Sequence, residues 1–361
     1  MSAFASATNN NGNLPYEYLV PFTSAEFEFG FDLRFLDNRL GLDVTLYSQK
    51  TTDDILNANI SRASGFGTTS VNLGEMRNKG IEFLLSATPI KGAVTWDASL
   101  NFAKNENEVV SLIEGSTKLN VDEPRTRTVF VAHIVGEPFG SLTGLVQRRS
   151  PDGQLVYNSD GAPLTDNQYY KNGSGVPDFT GGFNNSFTYK NLNLSFLIDF
   201  RAGGDIYSGT NVRMTQAGFT KQSLIGREGE APLNITGVVE TGKDASGAPI
   251  YEPVNRNLSP GEAQNYWNQL GERSSDRFIY DASFVKLRQV TLGYSIPRQL
   301  LSKTPIQNLT LSFVGRNLAI LFKNVDNIDP ESSYTSSNAQ GLDYFGMPST
   351  RSYGFNLKAT F

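Results

Sequence analysis

Few side chains in this chain of 361 residues could carry out acid–base or nucleophilic chemistry. His133 is the only histidine and there is no cysteine, so a catalytic triad would have to use His133. No Gly-x-Ser-x-Gly segment provides the sharp turn on which a hydrolase exposes its serine. A structural role for His133 is therefore favoured, and we predict no catalytic residue and no enzyme activity.

Oxygen ligands for a metal ion are concentrated at Asp326, Asp329 and Glu331, with two asparagines beside them. Such hard oxygens suit calcium, but their spacing matches no EF-hand loop. Aspartate and asparagine are also ordinary turn residues, so a loop of solvated acids is the favoured interpretation. The segment Gly65-Phe66-Gly67 likewise matches no phosphate-binding motif. We therefore predict neither a metal site nor a cofactor.

Pairs of aromatic residues in polar segments are the best candidates for ligand contact. Flat rings with Asn and Asp nearby can bind sugars or peptides, since both ligands offer apolar faces and hydrogen-bonding edges. The alternative for each pair is packing inside a large ordered loop, and that alternative is favoured over direct contact. The predicted substrate-binding residues are Tyr169, Tyr170, Tyr266, Trp267, Tyr344 and Phe345.

Composition excludes some partners and leaves the membrane open. The net charge is -5 and lysines and arginines are scattered, so we predict no nucleic-acid partner. No apolar run approaches the roughly 18 residues of a transmembrane helix, and the N-terminal residues lack the features of a signal peptide. A mean hydropathy of -0.31 still suits outer-membrane strands, because their lumen-facing half is polar.

Apolar and polar residues alternate along several segments, as expected of strands between two different solvents. The clearest hairpin spans 27–46, and similar ones span 81–102 and 179–200, where Asn185 is the one break in the apolar face. Two further strands are predicted at 290–294 and 309–313, and a last strand, 353–361, ends at Phe361. The predicted membrane-facing residues are Phe27, Phe29, Phe31, Leu33, Phe35, Phe183, Phe187, Phe196, Phe355 and Leu357.

The predicted connections alternate between turns of a few residues and segments of roughly twenty to seventy residues. Short turns on one side and long loops on the other are typical of an outer-membrane barrel. A further strand pair is predicted in 128–148, although the alternation there is poor, and a short helix is predicted from Ser259. The predicted extracellular loops are 51–77, 105–126, 149–177, 204–277 and 323–348.

The fold class predicted from this pattern is all-β, an antiparallel transmembrane β-barrel wall. It has about eleven strands within 24–361, preceded by a loop remnant at 1–23. Single-chain bacterial barrels have even strand numbers, and each unpaired edge group in hydrocarbon costs several kcal/mol. We therefore expect this wall to be an incomplete part of a larger barrel.

Several segments resemble the SusC/RagA-type TonB-linked outer-membrane proteins. Their shared order and spacing, from about residue 24 to the end, make the match more specific than any one segment alone. The segments are Phe35-Leu36-Asp37-Asn38-Arg39-Leu40, Asn78-Lys79-Gly80-Ile81-Glu82-Phe83, Gly136-Glu137-Pro138-Phe139-Gly140-Ser141-Leu142-Thr143-Gly144, Pro177-Asp178-Phe179-Thr180-Gly181-Gly182, Phe284-Val285-Lys286-Leu287-Arg288-Gln289-Val290-Thr291-Leu292-Gly293-Tyr294, Gly315-Arg316-Asn317-Leu318 and Asp329-Pro330-Glu331.

The resemblance implies transport through the outer membrane of a Gram-negative bacterium. It implies a barrel of about 22 strands with an N-terminal plug, to which this chain would contribute the C-terminal half. The expected partners are a SusD-type surface lipoprotein, outer-membrane lipid and the TonB complex, which would act through a plug outside this sequence. Tyr353 and Phe361 would form the terminal assembly signal. Glycan oligomers are the expected substrates, with peptides second.

Two other classes of protein share the alternating pattern. A passive porin would have to close from its own strands, which an odd count does not allow. A soluble β-sandwich adhesin or carbohydrate-binding module would bury its apolar face against a second sheet. The position of the apolar face therefore separates a membrane wall from a sandwich.

Overall fold

The computed structural model describes residues 12–14, 19–59, 61–113, 115–121, 128–334 and 339–361. Within them no helix is long and apolar enough to cross a membrane. The strands are β1 (Asn13–Leu14), β2 (Thr23–Phe35), β3 (Leu40–Thr52), β4 (Ile55–Asn59), β5 (Thr68–Asn72), β6 (Glu75–Lys91), β7 (Val94–Ser111), β8 (Lys118–Asn120), β9 (Val129–Ile134), β10 (Ser141–Gln147), β11 (Val156–Tyr157), β12 (Thr165–Ser174), β13 (Phe179–Tyr189), β14 (Leu192–Ala202), β15 (Asp205–Ser208), β16 (Asn234–Lys243), β17 (Pro249–Asn257), β18 (Ile279–Asp281), β19 (Phe284–Ser295), β20 (Asn308–Lys323), β21 (Leu342–Asp343) and β22 (Ser352–Thr360). The helices are α1 (Gly209–Gln216), α2 (Pro260–Arg273) and α3 (Arg298–Leu301), with 3-10 turns at Arg62–Ser64, Gln222–Leu224 and Ser275–Phe278.

Parts of four predicted segments lie outside the described residues. They are residues 1–11 and 15–18 of the predicted loop remnant, residue 60 of the loop 51–77, residues 114 and 122–126 of the loop 105–126, and residues 335–338 of the loop 323–348.

Nine strands form one antiparallel sheet, here called the wall, in the order β2-β3-β6-β7-β13-β14-β19-β20-β22. Consecutive wall strands are neighbours, and the pairing of the described residues begins at β2 and ends at β22, so the sheet is open. The connections between consecutive wall strands alternate between short and long along the chain. Short connections (36–39, 92–93, 190–191 and 296–307) lie on one edge, and long connections (53–74, 112–178, 203–283 and 324–351) lie on the other.

The wall has one apolar face that runs across all nine strands. Residues directly opposite each other in a sheet point to the same side, so the register shows which side chains share a face. One such row joins Leu33, Leu42, Leu85, Leu100, Phe183, Ile198 and Leu287, and a second joins Trp96, Phe187, Leu194, Leu292, Phe313 and Phe355. All the predicted membrane-facing residues belong to this apolar face.

The apolar face is uncovered within the described residues. Phe27 is 73% exposed and Phe355 is 80% exposed, and none of the predicted membrane-facing side chains belongs to a buried hydrophobic cluster. Successive residues on a strand point to opposite sides, so Glu28, Asp32 and Asn184 lie on the polar face.

Asn185, the one polar residue that interrupts the predicted apolar face, is buried beneath an aromatic neighbour. The indole N–H of Trp96 on β7 donates a hydrogen bond of 3.0 Å to the side-chain oxygen of Asn185 on β13. Asn185 is only 2% exposed, since the Trp96 ring stacks on Phe187 beside it. The side-chain oxygen of Asn185 is therefore paired across the two strands, whereas its amide nitrogen has no hydrogen-bond partner among the described residues.

The predicted wall of eleven strands has nine, because the pair in 128–148 belongs to a different sheet. Strands β9 and β10 do form there, but they pair with β8 and β12 within the connection 112–178. Both faces of β9 and β10 are largely buried. A strand buried on both faces has no solvent side to make polar, which is why its alternation is poor.

The predicted loop 51–77 begins and ends inside wall strands, and the predicted loop 105–126 begins inside one. β3 continues to Thr52, β6 begins at Glu75, and β7 continues to Ser111. Residues 104–108 of β7 are polar on both faces, so the alternation of apolar and polar residues is lost there although the pairing with β6 continues. Lys79 and Lys104 both form ion pairs with Glu106 there, at 3.1 and 3.0 Å.

Candidate substrate-binding region

The long connections contain the compact part of the molecule. The largest buried cluster joins Val129, Leu142, Tyr207, Trp267 and Phe278 with further residues of the connections 112–178, 203–283 and 324–351. Smaller clusters form around Val325 and around Val109. The long connections therefore pack together over one edge of the wall instead of extending separately into solvent.

Tyr266 and Trp267 lie inside this cluster. Both belong to α2, which the sequence predicted from Ser259: the Ser259 hydroxyl accepts from the Glu262 N–H, and the Glu262 carboxylate accepts from the Ser259 N–H. Trp267 is only 9% exposed, and its indole N–H donates to the carbonyl of Ile225 at 2.9 Å. Burial raises the pKa of Tyr266. Packing inside the folded connections is therefore the better interpretation of this pair, because both rings are buried against other residues of the protein.

Tyr169 and Tyr170 are adjacent on β12 and point to opposite sides of it. Tyr169 meets Phe130 edge to face, with ring centroids 5.0 Å apart. Tyr170 lies on the surface, where its hydroxyl donates to Asp166 at 2.6 Å, and that hydrogen bond raises its pKa. Tyr170 is the more accessible ring of the pair.

Tyr344 and Phe345 belong to an aromatic cluster in the connection 324–351. The Tyr344 ring meets Tyr334 and Phe345 edge to face, at centroid distances of 6.2 and 5.2 Å. Phe345 has a φ of 52°, a left-handed conformation that costs a non-glycine residue about 1–2 kcal/mol. Its backbone N–H donates to the Thr210 hydroxyl at 2.8 Å, which holds the exposed ring in place.

A charged network that the sequence did not predict ties the connection 324–351 to wall strand β19. The Lys286 ammonium is buried against Asp329, at 2.5 Å, and against Glu331. Arg288 joins Glu331 to Asp199 of β14, with 2.6 Å between its Nε and the Asp199 carboxylate. Burial alone would raise the pKa of Asp329, but hydrogen bonds from Lys286 and Ser349 hold it below its usual range. The paired charges therefore anchor this connection to the polar face.

The carboxylates considered as calcium ligands are divided by this network. Asp329 and Glu331 bind Lys286, whereas Asp326 is exposed and forms no ion pair with the described residues of this network. Within the described residues no group of three or more acidic or histidine side chains is placed to hold a metal ion.

His133 is a buried residue of β9. Its ring packs on Phe139 with centroids 4.2 Å apart, and burial lowers its pKa to about 4. The structural role favoured from the sequence agrees with this neutral, enclosed position.

An open antiparallel wall with one apolar face and long folded connections on one edge is the architecture of a membrane β-barrel wall. The family model described as TonB dependent receptor-like, beta-barrel, matches residues 2–199, which is more than half of the chain. The chain therefore belongs to the TonB-dependent receptor β-barrel family. Proteins of this family reside in the outer membrane of Gram-negative bacteria.

Individual relatives agree with that assignment. The TonB-dependent receptor P3 of Formosa agariphila is 28% identical over 379 aligned positions, which cover 96% of this chain and 35% of the relative. The TonB-dependent receptor SusC of Bacteroides thetaiotaomicron is 27% identical over 307 positions, covering 79% of this chain and 26% of the relative. This chain thus spans about a third or less of the length of the relatives it matches.

A solved structure shares the fold. The RagAB peptide importer in its closed-closed state superposes with a TM-score of 0.66 at 20% identity, covering 94% of this chain and 35% of that chain. The predicted resemblance to SusC/RagA-type proteins and the predicted all-β, incomplete barrel wall are both confirmed, with nine strands in place of eleven.

Proposed function

We propose that this chain forms wall and extracellular loops of a TonB-dependent outer-membrane importer that binds glycan oligomers and passes them inward. The observation that carries the proposal is the uncovered apolar face, which runs across all nine wall strands and suits contact with lipid. The long connections, folded over one edge of the polar face, would capture the substrate outside the cell.

The ends of the wall fit the same proposal. Tyr353 lies near the start of the last strand and Phe361 directly follows its end; they are 64% and 74% exposed, in positions suited to the interfacial aromatic girdles and to an assembly signal. Strand β7 has 18 residues, well beyond the roughly 9–11 residues that a bilayer crossing requires. Its polar end would project beyond the lipid and support the extracellular loops.

The two alternative classes are less well supported. A β-sandwich adhesin requires a second sheet against the apolar face, and among the described residues that face lies outside every buried cluster. A passive porin offers no reason for connections that are folded together and anchored by the Lys286 network. Both alternatives also lack support from the family to which the chain belongs.

The partners proposed are those implied by the resemblance to SusC and RagA. A SusD-type surface lipoprotein would cover the long connections, and the TonB complex would act through a plug supplied outside these residues. Peptides are the second candidate substrate class, since the RagAB protein of the same fold is described as a peptide importer.

Among the predicted ligand residues, Tyr170, Tyr344 and Phe345 are the best placed for substrate contact. Tyr170 and Phe345 are exposed, and Tyr344 is partly exposed beside them in sequence. Tyr169 is partly covered by Phe130, and Tyr266 and Trp267 are enclosed by the loop core. The latter three would support the binding surface.

The test is a deletion of the gene in the bacterium that carries it, complemented by the full-length gene. Uptake of malto-, cello-, xylo- and manno-oligosaccharides would be measured beside uptake of casein peptides, with and without a protonophore. We expect uptake of at least one oligosaccharide class to fall in the deletion strain and to require the energised inner membrane.

A matched exchange of the connection 203–283 for that of a relative would then show whether the long connections select the substrate. Oligosaccharide uptake that is unaffected by the deletion contradicts the proposal. Uptake that is unchanged by the protonophore would favour the passive porin.

A further inference from the structure

A groove of about 560 Å³ lies between the connections 203–283 and 324–351. Its lining includes Asn211, Phe219, Lys221, Gln222, Asp326 and Asn327. This volume falls within the range of small-molecule sites and can hold one or two sugar rings. The predicted aromatic pairs do not line it.

Phe219 is held on the rim of the groove by the end of helix α1. Gly218 has a φ of 77°, the Gly218 N–H donates to Thr215, and the Phe219 N–H donates to Met214 at 2.7 Å. This is the Schellman arrangement, in which the residue at the position of Phe219 commonly packs back against the helix. Here the Phe219 side chain remains 78% exposed, the most exposed large apolar side chain of the connection 203–283. The backbone of Phe219 is therefore held by the hydrogen bonds of this turn, and its ring is exposed.

The opposite part of the groove is preformed by amide hydrogen bonds. The Asn211 side chain donates to the backbone carbonyl of Asp326 at 3.2 Å, and the Asn327 side chain donates to Asn211 at 3.0 Å. Asn327 has a φ of 66°, a conformation that asparagine tolerates better than most residues. Asp326 and Asn327 are therefore held in fixed positions at the edge of the groove.

Two charged groups at the groove have no partner among the described residues. Neither the Asp326 carboxylate nor the Lys221 ammonium forms a hydrogen bond or ion pair within the part of the chain that the structure describes. One acceptor and one donor of opposite charge leave the groove neutral overall. Hydroxyl groups can both donate to the carboxylate and accept from the ammonium.

We propose that this groove binds a sugar ring of the glycan substrate. Phe219 would stack on the apolar face of the ring, while Asp326 and Lys221 would hydrogen-bond its hydroxyls. Among the described residues that line the groove, Phe219 and Tyr280 are the aromatic ones and the others are polar or charged, so these residues do not form the row of apolar pockets that a peptide's side chains would occupy. The inference rests on the proposed function, since it gives that importer a specific sugar contact.

The test is calorimetric titration of the purified full-length protein, in detergent, with the four oligosaccharide classes and with casein peptides. Phe219→Ala should raise the Kd of the bound oligosaccharide about five- to tenfold, whereas Phe219→Tyr should keep it within about twofold. Asp326→Asn preserves the backbone carbonyl that accepts from Asn211, so it should fold normally and weaken binding about fivefold. Leu300→Ala is the matched control, because Leu300 is 73% exposed in a short connection at the other edge of the wall.

The possible outcomes separate this site from the proposed function. Oligosaccharide binding by the parent that is unchanged in Phe219→Ala and Asp326→Asn overturns the groove and leaves glycan import standing. Binding of casein peptides alone overturns both proposals. Weaker oligosaccharide binding by the two groove variants, with Leu300→Ala and Phe219→Tyr close to the parent, supports the site.

Discussion

The wall and the long connections place their apolar side chains in opposite ways. In the wall, large apolar residues such as Phe27 and Leu357 are exposed on one face, and the sheet has no interior of its own. In the long connections, apolar residues such as Leu142 and Phe278 are fully buried. Lipid would take the place of a core for the wall, whereas the connections fold as a water-soluble domain does. The difference predicts that the two regions respond separately to substitution.

The largest expected effect is on the core of the long connections. Phe278→Ala removes a fully buried ring and should lower the free energy of unfolding of this region by about 3–5 kcal/mol. Limited thermolysin digestion should then cut the connection 203–283 faster, while the heat-modifiable band of the folded wall persists on gels. Loss of that band together with the connections would show that the two regions unfold as one unit.

A charge on the apolar face should destabilise the wall and leave the stability of the connections unchanged. Phe183→Arg places a charge in the middle of β13 and should cost about 2–4 kcal/mol if the face meets lipid. Asn184→Arg is the matched control, since the adjacent side chain points to the polar face. Urea unfolding in liposomes measures both variants, and equal losses would contradict the assignment of the faces.

At Asn185 the wall encloses a side chain, as the connections do, although Asn185 lies on the apolar face. Trp96→Phe removes the donor to the Asn185 oxygen and should cost about 1–3 kcal/mol, because a buried acceptor is left unpaired. Adding Asn185→Leu to this variant removes the unpaired group and should recover most of the stability. A double variant as unstable as Trp96→Phe would show that ring packing, not the hydrogen bond, matters there.

The smallest effect expected is a pH dependence confined to the connections. The Arg256 hydrogen bond and the Ser259 cap lower the pKa of Glu262 from 4.5 to about 2. A lowered pKa in the folded state gives stability that is present above about 4.5 and is lost as the pH falls towards 2.

Solvent screening limits this contribution to less than about 1 kcal/mol. Comparing the parent with Glu262→Gln between pH 7 and pH 3, by digestion of the connection 203–283, isolates the effect. The parent should lose its advantage at low pH, and a difference that is constant with pH would contradict the assignment.

Much of the wall could be predicted from the sequence, because each of its strands has two different environments. Alternation of period two located the hairpins 27–46, 81–102 and 179–200, and the structure pairs them in the wall. The pair in 128–148 was misplaced because strands buried on both faces lose the alternation that distinguishes a wall strand.

The candidate site was harder to predict, since it depends on contacts between distant segments. Ala263, Tyr266, Trp267 and Leu270 have helical spacing, a signal that would have indicated packing for the Tyr266 and Trp267 pair. Phe219 has no aromatic neighbour in sequence, and its exposure follows from the turn after α1. Lys286 meets Asp329 across 43 positions, which no local pattern can predict.

The hydrogen bond between Trp96 and Asn185 also limits how the wall can be misassembled. A slip of one residue between β7 and β13 would exchange the two faces and is opposed by every side chain on them. A slip of two residues would keep apolar side chains on the apolar face, so hydrophobicity alone opposes it weakly. It would, however, separate the Trp96 indole from the Asn185 amide, and the Asn185 oxygen would be left without its partner among aromatic rings. The hydrogen bond to Asn185 therefore favours the observed register of β7 and β13 over a shift of two residues.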